Sequence, residues 1–164
     1  MKTLYIMRHA KSSWKFEELS DHDRPLNKRG RTDAPLMGQE LAANNVKLQL
    51  ILSSPAVRAI TTATLVAREL DYDADDIAIE DRMYGASAAE LLEIAHEAPD
   101  QVDCMLMVGH NDALSEFANM LSPKQLSSMP TAGVVALRFD CEKWRDVSRS
   151  NAELLFYDIP KNLD

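Results

Sequence analysis

Four residues in this chain have the types needed to handle a phosphoryl group: Arg8, His9, Arg58 and His110. Each follows a short apolar run. Leu4-Tyr5-Ile6-Met7 leads into Arg8 and His9, Leu50-Ile51-Leu52-Ser53-Ser54-Pro55 leads to Arg58, and Met105-Leu106-Met107-Val108-Gly109 leads to His110. In an open parallel sheet, ligands bind at the carboxyl edge of such strands. Two guanidinium groups and two imidazoles gathered there would repel one another unless an anion sat between them. A phosphoryl group is the natural counter-charge, because arginine donates in a fork to two of its oxygens.

Other chemistries find less support. Paired histidines suggest zinc, but no HxH or HExxH spacing occurs, and Arg8 would oppose a dication. No metal or other cofactor is expected. There is no GxxxxGK[ST] or GxGxxG loop for a nucleotide and no GxSxG for a serine hydrolase. His96 stands among Glu93, Glu97 and Asp100 and reads as a solvated surface residue. His22, in a polar stretch, is left without a role.

The elements that must position the four residues follow from the apolar pattern. Residues 3–7 read as a strand buried on both faces, because the run is continuous rather than alternating. Residues 10–27 are polar and read as a long loop over the sheet edge, of the length that usually carries function. In the next helix Ala34, Met37, Gly38 and Leu41 share a face. Asp33 is preferred as its cap over Asn27, which would leave Pro35 inside. Residues 49–53 form a second strand. Ser54-Pro55 then predicts a helix start, with Ser54 as cap and Pro55 at the first position. Ile77–Ile79 is a short third strand, and Ser87-Ala88-Ala89-Glu90 spells a capping box. Residues 103–108 form a fourth strand, followed by a helix capped by Asn111 or Asp112. Val134–Phe139 and Leu154–Tyr157 read as two last strands, both expected antiparallel to the rest. The alternation predicts a three-layer α/β/α sandwich around a mainly parallel sheet.

The 164 residues fit one domain, 1–164. With 46% apolar and 27% charged residues, the chain has the composition of an ordinary globular protein rather than a disordered one. The net charge of −8 argues against a nucleic-acid surface. Cys104 and Cys141 match no disulfide framework or CxxC motif, so a reducing cytoplasm is expected. No secretory leader or membrane span is read, because Arg8 interrupts the only early apolar stretch.

Four blocks in order carry a resemblance over nearly the whole chain: Leu4-Tyr5-Ile6-Met7-Arg8-His9-Ala10-Lys11-Ser12, Asp23-Arg24-Pro25-Leu26-Asn27-x-x-Gly30, Ser53-Ser54-Pro55-x-x-Arg58 and Val108-Gly109-His110-Asn111. Together they resemble the histidine phosphatase superfamily, which includes the phosphoglycerate mutases. The short form with Arg-His-Ala resembles its SixA phosphohistidine phosphatase branch. The resemblance implies a phosphoglycerate mutase-like fold and a metal-independent phosphatase. His9 would be the nucleophile, with Arg8, Arg58 and His110 on the phosphoryl oxygens and Ser12 or Ser13, either also readable as a loop cap, as a further contact. Neutral imidazole is a competent nucleophile near neutral pH.

The general acid of larger relatives has no clear counterpart. Glu80, Asp81 and Asp23 are candidates, each also readable as an ordinary surface carboxylate. An alkoxide leaving group needs such an acid, whereas the imidazole of phosphohistidine is a much weaker base. The chain also has little length for a lid after Asp81, which implies an open pocket. Phosphohistidine in a protein, such as a histidine-phosphotransfer domain, is therefore the expected substrate. A small phosphorylated molecule, or mere binding of a phospho-ligand by a catalytically weak module, stays open as an alternative. No nucleic-acid or membrane partner is expected.

Overall fold

The protein, described over residues 1–162 in a computed structural model, is built on a six-stranded sheet. The strands are β1 (Lys2–Arg8), β2 (Leu50–Ser53), β3 (Ala78–Ile79), β4 (Cys104–Gly109), β5 (Val134–Phe139) and β6 (Ala152–Asp158). The helices are α1 (Lys28–Ala43), α2 (Val57–Glu69), α3 (Ala88–His96) and α4 (Ala113–Leu121). The spatial order is β3-β2-β4-β1-β5-β6. Strands β1 to β4 are mutually parallel, and β5 runs against β1. Because β6 is antiparallel to β5, it points the same way as β1. Only β5 is reversed, not both final strands as the sequence suggested.

The continuous apolar runs arise because each strand has a packed layer on both sides. Leu4 and Ile6 of β1 join Met105 and Met107 of β4 in a core completed by Leu91 and Ile94 of α3 and Leu114 and Phe117 of α4. Tyr5 and Met7 point the other way. They join Leu106, Val108 and Ile51 beneath Met37 and Leu41 of α1 and Ala59, Ala63 and Val66 of α2. The three-layer α/β/α sandwich expected from the alternation is what forms.

Two helix starts differ from expectation. Helix α1 begins at Lys28, with Asn27 as its cap: the Asn27 side chain accepts the Gly30 N–H at 2.9 Å. Pro35 therefore sits inside the helix, where proline ordinarily costs about 3 kcal/mol. Burial of Ala34, Met37, Gly38 and Leu41 on one side offsets that cost. The cap also explains Asn27-x-x-Gly30. Lys11 carbonyl accepts the Asn27 N–H at 3.0 Å, and a Cβ on Gly30 would collide with that carbonyl. Helix α2 begins at Val57, two residues after Pro55, and its N-cap Ala56 offers no side-chain bond. Ser54 is occupied elsewhere, as described below. Ser87 and Glu90 do form the capping box at α3.

Candidate active site

The carboxyl ends of β1, β2 and β4 lie side by side, and the chain pins them together. Arg8 N–H donates to Gly133 carbonyl at 3.1 Å, and His9 N–H to Gly109 carbonyl, at the end of β4, at 3.0 Å. Ala10 N–H donates to Thr62 Oγ1 at 2.9 Å, and that hydroxyl donates to Arg58 carbonyl within α2 at 2.7 Å. Ala10 is fully buried. The turn after β1 is thus tied to β4, to the entry of β5 and to α2.

His9 is itself buried. Its Nδ1 lies 2.7 Å from Ala10 carbonyl, which can only accept, so the proton is assigned to Nδ1 and the lone pair to Nε2. Burial pulls its pKa down to about 3; the Ala10 carbonyl partly opposes this, and His110, Arg58 and Arg8 add to the depression. The ring is neutral at neutral pH. The His110 ring centre is 5.2 Å away, and its pKa is lowered to about 4, chiefly by burial and then by Arg58. Arg8 Nη1 donates to Met129 carbonyl at 3.0 Å. Arg58 reaches Asp21 twice, through Nη1 to its carbonyl at 2.6 Å and Nη2 to Oδ2 at 2.9 Å. Three buried nitrogens of this cluster have no hydrogen-bond partner among the described residues: Arg8 Nε, Arg58 Nε and His110 Nδ1.

Asp21 was not singled out by the sequence. It opens a short 3-10 turn (Asp21–Asp23) in the loop between β1 and α1. Besides Arg58, it accepts from Arg24 Nε on Oδ1 at 3.1 Å and from Tyr84 hydroxyl on Oδ2 at 2.7 Å. The Tyr84 bond above all, and then the two arginines, hold its pKa down to about 2 against partial burial. Tyr84 stands edge-on to His110 at 5.6 Å, with His22 edge-on to Tyr84 at 5.1 Å. This gives His22 a place beside the cluster. Tyr84 likewise carries no signal in the sequence beyond its place a few residues after Glu80 and Asp81.

The remaining candidates lie in other bonds. Ser12 Oγ accepts from Arg24 Nη1 at 2.6 Å, and the Arg24 guanidinium stacks over exposed Trp14 at 3.5 Å. Asp23 sits 3.4 Å from His22 Nδ1. Glu80 is held by Arg82, with Nε to Oε1 at 2.9 Å, which lowers its pKa. Arg82 in turn bridges to Glu97, just past α3. Asp81 takes part through its carbonyl, which accepts the Tyr84 N–H at 3.2 Å. His96, expected to be solvated, is half-buried, with Nε2 2.9 Å from Val147 carbonyl. Among the described residues, no group of three His, Cys, Asp or Glu side chains is placed to hold a metal ion.

Comparison with known proteins decides the family. The model of the histidine phosphatase superfamily (branch 1) matches residues 4–103. The chain belongs to the histidine phosphatase superfamily. An uncharacterized protein of Mycobacterium tuberculosis is 33% identical, over 94% of this chain and 100% of that one. An Agrobacterium tumefaciens protein assigned as the phosphohistidine phosphatase SixA superposes with a TM-score of 0.83 at 26% identity, covering 97% of this chain and 98% of the other. A protein histidine phosphatase SixA solved with tungstate superposes with a TM-score of 0.78 at 22% identity, covering 99% of each chain. Within the superfamily the chain is SixA-like, and its membership supports phosphatase activity. No helix among the described residues is long and apolar enough to cross a membrane.

Proposed function

We propose that the protein is a phosphatase working through a phosphohistidine on His9, with phosphohistidine in a protein as its substrate and a cytoplasmic setting. The observation that carries this reading is a trio of buried nitrogens, unpartnered among the described residues, on the three side chains that act on His9. A buried donor without an acceptor costs about 1–3 kcal/mol, and such a group calls for an explanation. Arg8 Nε, Arg58 Nε and His110 Nδ1 are satisfied together if the oxygens of one phosphoryl group lie among them.

His9 Nε2 attacks phosphorus as the bond to the leaving group breaks. The two guanidinium groups and His110 stabilise charge on the equatorial oxygens. Water then attacks phospho-His9, the N–P bond breaks, and inorganic phosphate and neutral His9 are released. The first step suits a leaving imidazole. The carboxylate in contact with the cluster, Asp21, is ionised at neutral pH, and Glu80 is held ionised by Arg82. Neither has a proton to give an alkoxide. An imidazole that enters protonated on its second nitrogen leaves neutral without such help. Tungstate, a tetrahedral oxyanion, in a SixA relative adds support to an anion among these residues.

The test is a phosphoenzyme trap with a substrate panel. Labelled donor should leave acid-labile, base-stable label on the wild type and none on His9→Ala. Phosphohistidine and phosphoramidate should turn over faster than alkyl phosphates. Faster ester hydrolysis would overturn the substrate assignment, and absence of label with every donor would overturn the mechanism.

A further inference from the structure

Ser54 reads in the sequence as a helix cap, but the structure gives its hydroxyl different partners. The residue is fully buried at the junction of β2 and α2. Its backbone N–H donates to Val108 carbonyl at 3.1 Å, so it is fastened to the strand that leads into His110. Its Oγ lies 2.7 Å from His110 Nε2 and 3.3 Å from the Ala56 nitrogen. The Ala56 N–H can only donate, so Oγ accepts there. The hydroxyl proton is then free for Nε2. A neutral imidazole that accepts at Nε2 carries its own proton at Nδ1. Nδ1 is the buried nitrogen of this ring that has no partner.

We infer that Ser54 is a positioning residue: it locks His110 in the Nδ1–H tautomer and so presents a neutral donor to a phosphoryl oxygen. The inference rests on reading the cluster as a phosphoryl site. The opposite tautomer would leave a lone pair at Nδ1 facing the anion, turning an attraction into a repulsion. A doubly protonated ring would donate from both nitrogens, but burial and the Arg58 guanidinium work against that charge. The consequence is a third donor with no third positive charge. Neutral donors bind oxyanions more weakly than cations do, so this arrangement holds the phosphoryl group in the transfer without retaining product phosphate.

Long-range 15N–1H correlation spectra of the full chain at pH 7, without phosphate, read the tautomer directly. The wild type should show His110 protonated at Nδ1. Ser54→Ala should lose that preference, and Ser54→Cys, with a weaker donor of similar shape, should retain part of it. In the same variants, kcat with phosphoramidate should fall about tenfold or more for Ala and less for Cys, with phosphate affinity reduced in parallel. An Nε2–H tautomer in the wild type overturns the inference whether or not any variant folds. Wild-type kcat in a folded Ser54→Ala does so too. An enzyme that shows the Nδ1–H tautomer but transfers no phosphoryl group overturns the phosphatase reading and leaves the role of Ser54 in setting the tautomer standing.

Discussion

The two sides of the site are built differently. One side is the set of strand ends carrying Arg8, His9 and His110 with the first turn of α2 carrying Arg58, where bonds to Gly109, Gly133 and Thr62 tie the turn after β1 to β4, β5 and α2. The other side is the long loop after β1, with Asp21, Arg24 and exposed Trp14, meeting Tyr84 from the segment after β3. The first side is held by the core and leaves donors unsatisfied. The second is held mostly by charge and leaves nothing unsatisfied on Asp21. On the proposed function the difference separates the tasks: the side fixed by the core, called rigid below, would hold the transferred group, and the loop would govern what reaches it.

Variants that break this contrast should fall in order of size. On the rigid side, His9→Ala should abolish the phosphoenzyme and lower turnover by roughly a thousandfold or more, as loss of a nucleophile does; rapid-quench labelling checks this. Arg58→Ala should cost about 2–4 kcal/mol of transition-state stabilisation, the value of one oxyanion donor, read as kcat/KM. Arg58→Lys should recover only part, because a single ammonium cannot fork.

Acid should act on the rigid side through His9 and His110. Both bind protons less readily folded than unfolded, with pKa values near 3 and 4 instead of about 6.5. Between those values and 6.5 the unfolded chain binds more protons, so stability rises with pH and is lost as pH falls. For buried His9 the loss from pH 7 to 5 should be of order 1–2 kcal/mol, visible as a drop in Tm that His9→Gln reduces. The rate of phosphoenzyme formation should stay level from pH 7 to about 5 and fall below about 4, since the nucleophile remains neutral until then.

On the loop side the expected effects are smaller. Asp21→Asn removes the carboxylate charge that occupies Arg58, so inorganic phosphate should bind about five- to tenfold tighter by calorimetry, roughly 1 kcal/mol for a half-exposed ion pair. Glu80→Gln, which disturbs the Arg82 bridge and the Glu80 cap on the Arg82 N–H, should leave kcat within about twofold.

The rigid side was legible in the sequence because its signal is apolar. Each strand had to be buried on both faces, so the charged residue ending it had to emerge at the sheet edge. Helix boundaries were harder. Pro35 argued against Asn27, and the packing that keeps the proline inside α1 is tertiary. Ser54 looked like a cap because its pairing with His110 joins residues far apart in sequence. The direction of β6 depended on pairing with β5 alone, which no local pattern encodes. Asp21 and Tyr84 escaped for the same reason, because their meeting requires a polar loop to fold across a pocket. After the third strand Glu80 and Asp81 have the residue type of an acid, while Tyr84 a few residues on is the one that touches the site.

The bond between Asp21 and Arg58 bears on how the site behaves with salt. On the proposed function, an incoming phosphoryl group meets a guanidinium already paired with Asp21, at the nitrogen that Asp21 leaves free. The Asp21 charge would offset part of the Arg58 attraction, so the binding equilibrium should depend on ionic strength only weakly for so charged a ligand. After hydrolysis the same carboxylate would oppose retention of the product phosphate.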